Sequence, residues 1–174
     1  MRFLTPILNQ QQILSIRRNH AVEHATINIL SKQFPARSIS GYSNAGGFWL
    51  MGRLPAESIR QAVDEAVARL KAGEPQLAFH PNCGTNYAVM GSAAGLAAWL
   101  GMLGAGKKWN DKLDRVPGVM MLATLALIFS QPFAYTIQAK VTTSPLIGEE
   151  YAVLRIEDVS RGEIQAYRVH TKAV

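Results

Sequence analysis

The chain holds two histidines four residues apart, with a glutamate beside the second, in Arg17-Arg18-Asn19-His20-Ala21-Val22-Glu23-His24-Ala25-Thr26. On a helix, positions i and i+4 project from one face with Cβ atoms about 5–6 Å apart. That separation lets two imidazoles converge on one zinc ion at about 2.0–2.1 Å each. Glu23, three residues after His20, borders the same face and is placed to move a proton for a water activated by the ion. Two histidines do not complete a site. The remaining candidates are His80 and Cys83, in His80-Pro81-Asn82-Cys83-Gly84-Thr85-Asn86. Pro81, Asn82 and Gly84 make this a turn, and loops at element ends commonly display ligands and nucleophiles. It carries the chain's one cysteine and one of its four histidines. Each residue also has a plainer reading. A helical histidine can satisfy a buried hydrogen bond, a thiol can serve as a small buried hydrophobe, and His80 can anchor the turn through its ring nitrogens.

The elements that must position these groups follow from the hydrophobic pattern. Residues 8–32 read as one helix, with Ile13, Ile16, His20, Glu23, Ile27 and Leu30 on a stripe of helical period. His20 and Glu23 therefore fall inside an apolar face, where an unsatisfied polar group costs about 1–3 kcal/mol. Pro35 ends the helix. Arg37–Tyr42 and Phe48–Met51 read as strands around the turn Ser43-Asn44-Ala45-Gly46-Gly47, which lacks a P-loop lysine and fits a plain hairpin. Pro55 opens a second helix through Lys71, with Ile59, Ala62, Val63, Ala66, Val67 and Leu70 on one side and Gly73 past its end. Gln76–Phe79 reads as a short buried strand. Residues 1–85 thus predict an α-β-β-α-β layer of α+β class. Tyr151–Arg155 and Glu163–His170, around Ser160-Arg161-Gly162, predict a C-terminal β-hairpin in residues 141–174 that could extend the same sheet. His170 falls on its presumed edge strand.

Charge is distributed unevenly. Only 17% of residues are charged, against about a quarter in an ordinary globular domain. Pro75–Gly106 and Val116–Ala139 contain no Asp, Glu, Lys or Arg, and Lys107–Arg115 between them is polar. Since about 20 apolar residues span a bilayer, residues 86–140 predict a transmembrane helical hairpin of Tyr87–Gly106 and Val116–Ile137. Gly91 and Gly95 form a G-x-x-x-G face suited to close helix packing, in a homodimer or a membrane protein complex. Two crossings leave both ends on one side. Lys107, Lys108, Lys112 and Arg115 would place the loop in the cytoplasm, but that requires exporting the basic first 85 residues without a signal peptide. The expectation is therefore an integral protein of the bacterial cytoplasmic membrane with cytoplasmic ends. The net charge of +6 comes from scattered residues with no stripe interleaved with aromatics, so no nucleic-acid partner is expected. A single cysteine excludes an internal disulfide.

The order H-x-x-E-H resembles that of the inverzincin peptidases, which implies a downstream glutamate, here Glu149 or Glu150, as third ligand. The set His20, His24 and Cys83, with Glu23 nearby, is similar to that of peptide deformylase, in which a loop cysteine completes the site. Across most of its length, H-A-V-E-H-A-T, G-G-F-W-L-M-G and H-P-N-C-G-T-N with a membrane hairpin resemble a bacterial family known as domain of unknown function 6391, a likeness that supplies no activity. The leading expectation is a membrane-anchored zinc hydrolase of a peptide or amide bond, with His20, His24 and Cys83, joined by His80, as metal ligands and Glu23 as catalytic residue. One alternative is a non-catalytic membrane subunit or assembly factor with a structural metal or hydrogen-bonded site. Another is an enzyme that uses Cys83 as nucleophile.

Overall fold

The computed structural model describes residues 5–173, in two compact units. The first comprises residues up to His80 together with those from Ala139 onward, and the second is Pro81–Gln138.

In the first unit, α1 (Thr5–Leu8) leads into α2 (Gln11–Gln33). Then come β1 (Ser40–Asn44), β2 (Gly47–Met51) and α3 (Ala56–Lys71), and after the second unit β3 (Ala152–Asp158) and β4 (Ala166–Lys172). The four strands form one antiparallel sheet in the order β1-β2-β4-β3. The C-terminal hairpin thus extends the sheet through β4, and His170 lies on an inner strand, not at an edge. Its Nε2 sits 2.9 Å from Glu157 Oε2.

Alternation along the strands decides which side of the sheet is covered. Phe48 and Leu50 of β2 and Tyr167 and Val169 of β4 point into the core. There they join Ala21, Val22, Ala25 and Leu30 of α2 and Ile59, Ala62, Val63, Ala66 and Leu70 of α3. The periodicity of α3 matches its buried face. That of α2 does not. Ile16 is exposed, whereas Ala21 through Ile27 are buried without interruption, so the middle of α2 is enclosed on all sides and carries polar groups inside.

Gln76–Phe79 is a further correction. Residues Pro75–Ala78 form a 3₁₀ turn, not a strand. Pro75 occupies its first turn, and the carbonyls that a ladder would use are taken by α2 side chains. Asn28 Nδ2 donates to Leu77 O at 2.9 Å and Phe79 O at 3.0 Å, while His24 Nδ1 meets Ala78 O at 2.8 Å.

The second unit holds α4 (Gly84–Met102), the short α5 (Trp109–Leu113) and α6 (Val116–Ile137). Helices α4 and α6 pack along each other. At one end the Arg115 guanidinium donates to the carbonyls of Gly101, Leu103 and Gly104, closing the last turn of α4. At the other, Asn86 Nδ2 reaches Gln138 Oε1 at 3.4 Å, so the chain leaves the pair at the end where it entered. Gly101 lies against α6, where an added Cβ would be 3.0 Å from Val119 Cγ2. Gly91 and Gly95 face open space.

Among the described residues one stretch, Trp109–Thr142, is long and apolar enough to cross a membrane, and none of its most apolar window is buried. The expectation of two such helices is therefore corrected to one. Helix α4 is not apolar enough because it opens on Gly84-Thr85-Asn86-Tyr87 and continues rich in glycine and alanine.

Candidate metal centre

Both histidines of the motif lie on α2, with ring centroids 4.2 Å apart. Backbone carbonyls orient each ring. His20 Nδ1 sits 3.0 Å from Thr142 O, and His24 Nδ1 sits 2.8 Å from Ala78 O. A carbonyl only accepts, so Nδ1 of each ring is the protonated nitrogen and the neutral imidazole carries its lone pair on Nε2. An imidazole anchored through one nitrogen and ligating through the other is the usual arrangement at metal sites, where the anchor sets ring direction and raises basicity.

Cys83 is buried and precedes the first turn of α4, with its carbonyl accepting from Asn86 N at 2.9 Å. His20 and His24 belong to the first unit, and Cys83 lies at the start of the second. Two imidazole nitrogens and a thiolate make a donor set that suits zinc. His80, in the same unit as the histidine pair, has its ring centroid 5.9 Å from that of His24. The downstream glutamates are engaged elsewhere. Glu150 pairs with Arg18, and Glu149 is an exposed neighbour of Lys71.

Glu23 is buried and meets β1, where its Oε2 accepts from Ser43 Oγ. Gly41 makes room for it, since a Cβ there would fall 2.7 Å from Glu23 Cδ. The motif glutamate is therefore held by the edge of the sheet.

The chain matches the family described as Domain of unknown function (DUF6391) over residues 15–159. The chain belongs to that family. It is 38% identical over 147 residues to an uncharacterized protein of Picosynechococcus sp., a match that spans 77% of this chain and 68% of the relative. No solved structure matches it. The DUF6391 match takes in His20, Glu23, His24, His80 and Cys83 together.

Asn19 is a residue whose role the motif does not suggest. Wholly buried, it donates through Nδ2 to Asn44 O at 2.8 Å and Ala45 O at 3.2 Å. Its Oδ1 accepts from Tyr151 Oη at 2.9 Å and Thr171 Oγ1 at 2.7 Å. Burial pushes the Tyr151 phenol above its ordinary range, so it remains a donor. This knot fixes α2 to the β1–β2 turn and to β4 one residue before His20. Asparagine is a poor helix former, so its presence mid-helix was a readable signal. Nothing local marked Ser43 or Gly41, whose roles arise from distant pairing.

Proposed function

We propose that this chain is a membrane-anchored metalloprotein that hydrolyses a peptide or amide bond, with zinc or a similar divalent ion as cofactor. His20, His24 and Cys83 hold the ion, and Glu23 is the carboxylate that moves the proton. The observation that carries the reading is the pair of imidazoles one helical turn apart, 4.2 Å between ring centroids, both anchored at Nδ1 so that both Nε2 atoms are left to ligate. Catalytic zinc keeps three protein ligands and one open position, whereas structural zinc is closed by four. A bound ion would supply a Lewis acid able to polarise a carbonyl and activate water. Glu23 stays outside the ligand set, and the Ser43 hydroxyl that donates to its Oε2 fixes the direction of the carboxylate.

A second reading, a structural metal in a membrane subunit or assembly factor, is favoured by the His80 ring next to that of His24, which offers a fourth ligand. A third makes Cys83 the nucleophile with a helix histidine as base.

For the setting we propose an integral place in a bacterial cytoplasmic membrane. Support comes from the exposed apolar stretch Trp109–Thr142 and from a helical pair that returns the chain to the end where it entered. The open Gly91/Gly95 face of α4 fits a second copy or another membrane subunit.

Elemental analysis of the detergent-purified protein tests the centre. About one equivalent of zinc is expected, with most of it lost in His20→Ala, His24→Ala and Cys83→Ser, and with uptake falling at acidic pH as the ligands protonate. Retention of metal by Cys83→Ser but not by His80→Ala would reverse the roles of those residues. Amide hydrolysis that survives complete metal removal but not Cys83→Ser would select the nucleophile reading.

A further inference from the structure

The two edges of the sheet are built differently. Edge β3 carries Arg155, Glu157 and Asp158, with Glu157 paired to Arg155 at 2.8 Å and to His170 at 2.9 Å, and its register breaks between Val153 and Arg155. Charges and irregularities of this kind keep foreign strands off an edge. Edge β1 is Ser40-Gly41-Tyr42-Ser43-Asn44, with no charge, no proline and an unbroken register against β2. It lacks the charges and the break in register that guard β3.

The direction of its backbone groups follows from the turn. The two-residue loop Ala45–Gly46 closes the hairpin at the pair Asn44/Gly47, and the closing pair of such a loop is hydrogen-bonded. Bonded and non-bonded pairs alternate along an antiparallel ladder. Tyr42 and Ser40 therefore bond inward to β2, and the N–H and C=O of Gly41 and Ser43 point outward from the sheet. These same two residues meet Glu23, Ser43 through its hydroxyl and Gly41 through its missing Cβ. Asn19 also holds the Asn44 and Ala45 carbonyls, tying the hairpin to the motif helix.

The geometry points to β1 as the binding strand for an extended peptide, which adds to the sheet through Gly41 and Ser43 and so runs past Glu23. The inference rests on the hydrolase reading for its choice of a peptide as occupant. Main-chain bonding to an exposed edge is a general mode of peptide recognition, and here it would set the substrate's register against the carboxylate.

The test uses the full chain in detergent micelles and a fluorescein-labelled octapeptide of alternating valine and threonine, with variants carrying one N-methyl group at successive amides. Methylation at every second amide should weaken binding by about tenfold, the equivalent of one hydrogen bond, and at the intervening amides should leave it nearly unchanged. Bound peptide should also slow hydrogen exchange at the amides of Gly41 and Ser43 and leave Tyr42 unaffected. Losses without this parity, or no binding at all, would overturn the proposal. So would protection of Gly41 and Ser43 in the absence of peptide, which would mean that a second copy occupies the edge. Binding is measured with Glu23→Gln and with chelated protein as well, so it does not depend on turnover. Parity-dependent binding by a protein that never cleaves peptide upholds the edge and removes the hydrolase reading. Hydrolysis of a small amide without parity does the reverse.

Discussion

Helices α2 and α6 are almost equally long, at 23 and 22 residues, and they depart from the rule for globular proteins in opposite directions. Helix α2 buries Asn19, Glu23, His24 and Thr26 in its middle. Helix α6 leaves Met120, Met121, Leu125, Ile128, Phe129 and Phe133 exposed and buries only Ala134. Charged and polar side chains are rarely buried without partners, and soluble monomers rarely show large contiguous apolar patches. Each helix therefore needs compensation. In α2 it comes from within the chain, through the four bonds of Asn19, the Ser43 donor to Glu23 and the carbonyl on the His24 ring. In α6 nothing comparable covers the side chains, and its length of about 33 Å, at 1.5 Å per residue, matches the hydrocarbon core of a bilayer. The one helix keeps its polar groups inside, and the other keeps its apolar groups outside.

The largest effect expected is on α6. Leu125→Lys combined with Phe129→Lys places two charges near the helix centre, at about 2.5–3.5 kcal/mol each if lipid surrounds it. The doubly substituted protein should leave the carbonate-resistant membrane fraction. If water surrounds the helix, exposed substitutions of this kind stay within about 0.5 kcal/mol and fractionation will not change.

The corresponding change in α2 is Glu23→Gln, which keeps size and most hydrogen bonds while removing the basic carboxylate. Metal content should persist, and amide hydrolysis should fall by about 10²–10⁴-fold, as for a lost general base. If Glu23 only steadies a structural site, metal affinity drops instead, by about 10–100-fold. Asn19→Leu comes next in size. It strands two carbonyls and two hydroxyls, each at about 1–3 kcal/mol when left unsatisfied, so a net loss of about 3 kcal/mol is expected. In a chain of this length that lowers Tm by about 6–12 °C. A thermal melt that shifts by only a degree or two would show that the knot is not what secures α2.

This contrast also explains how much was legible in the sequence. Helix α3, the β1–β2 hairpin and the C-terminal hairpin follow local rules of period and turn chemistry. Helix α3 is marked nearly to the residue, while β1, β3 and β4 are displaced or lengthened by two to three residues. Ser43 and Asn44, expected in the turn, pair with Phe48 and Gly47. The strand expected at Gln76–Phe79 failed because its carbonyls are claimed by Asn28 and His24, partners about fifty residues away that no local pattern reveals. The stripe assigned to α2 failed because that helix is enclosed on all sides, which removes the amphipathic signal. The membrane helix expected at Tyr87–Gly106 failed for compositional reasons, since absence of charge is a weaker property than apolarity. In the site, the spacing of His20 and His24 pointed to the pair, and turn chemistry singled out Cys83. The anchors on the two rings come from backbone carbonyls, which carry no residue signature.

The smallest effect expected is the most specific to the site. Ser43→Ala leaves the β1 backbone and the metal ligands untouched and removes one donor to Glu23. The cost in stability should be about 1 kcal/mol, the net worth of one such bond. If Ser43 is a positioning residue for the carboxylate, zinc content and KM should stay at their ordinary values while kcat falls by about tenfold, because the group moved is needed only as the proton transfers. Ser43→Thr should restore most of the loss, since threonine offers the same hydroxyl and suits a strand. In a purely structural knot the order changes. Ser43→Ala would then loosen metal binding together with stability, and threonine would rescue both. A kcat that does not respond to Ser43→Ala, alongside a lower melting temperature, would place Glu23 with Asn19 among the groups that hold α2 in place and take it out of the chemistry.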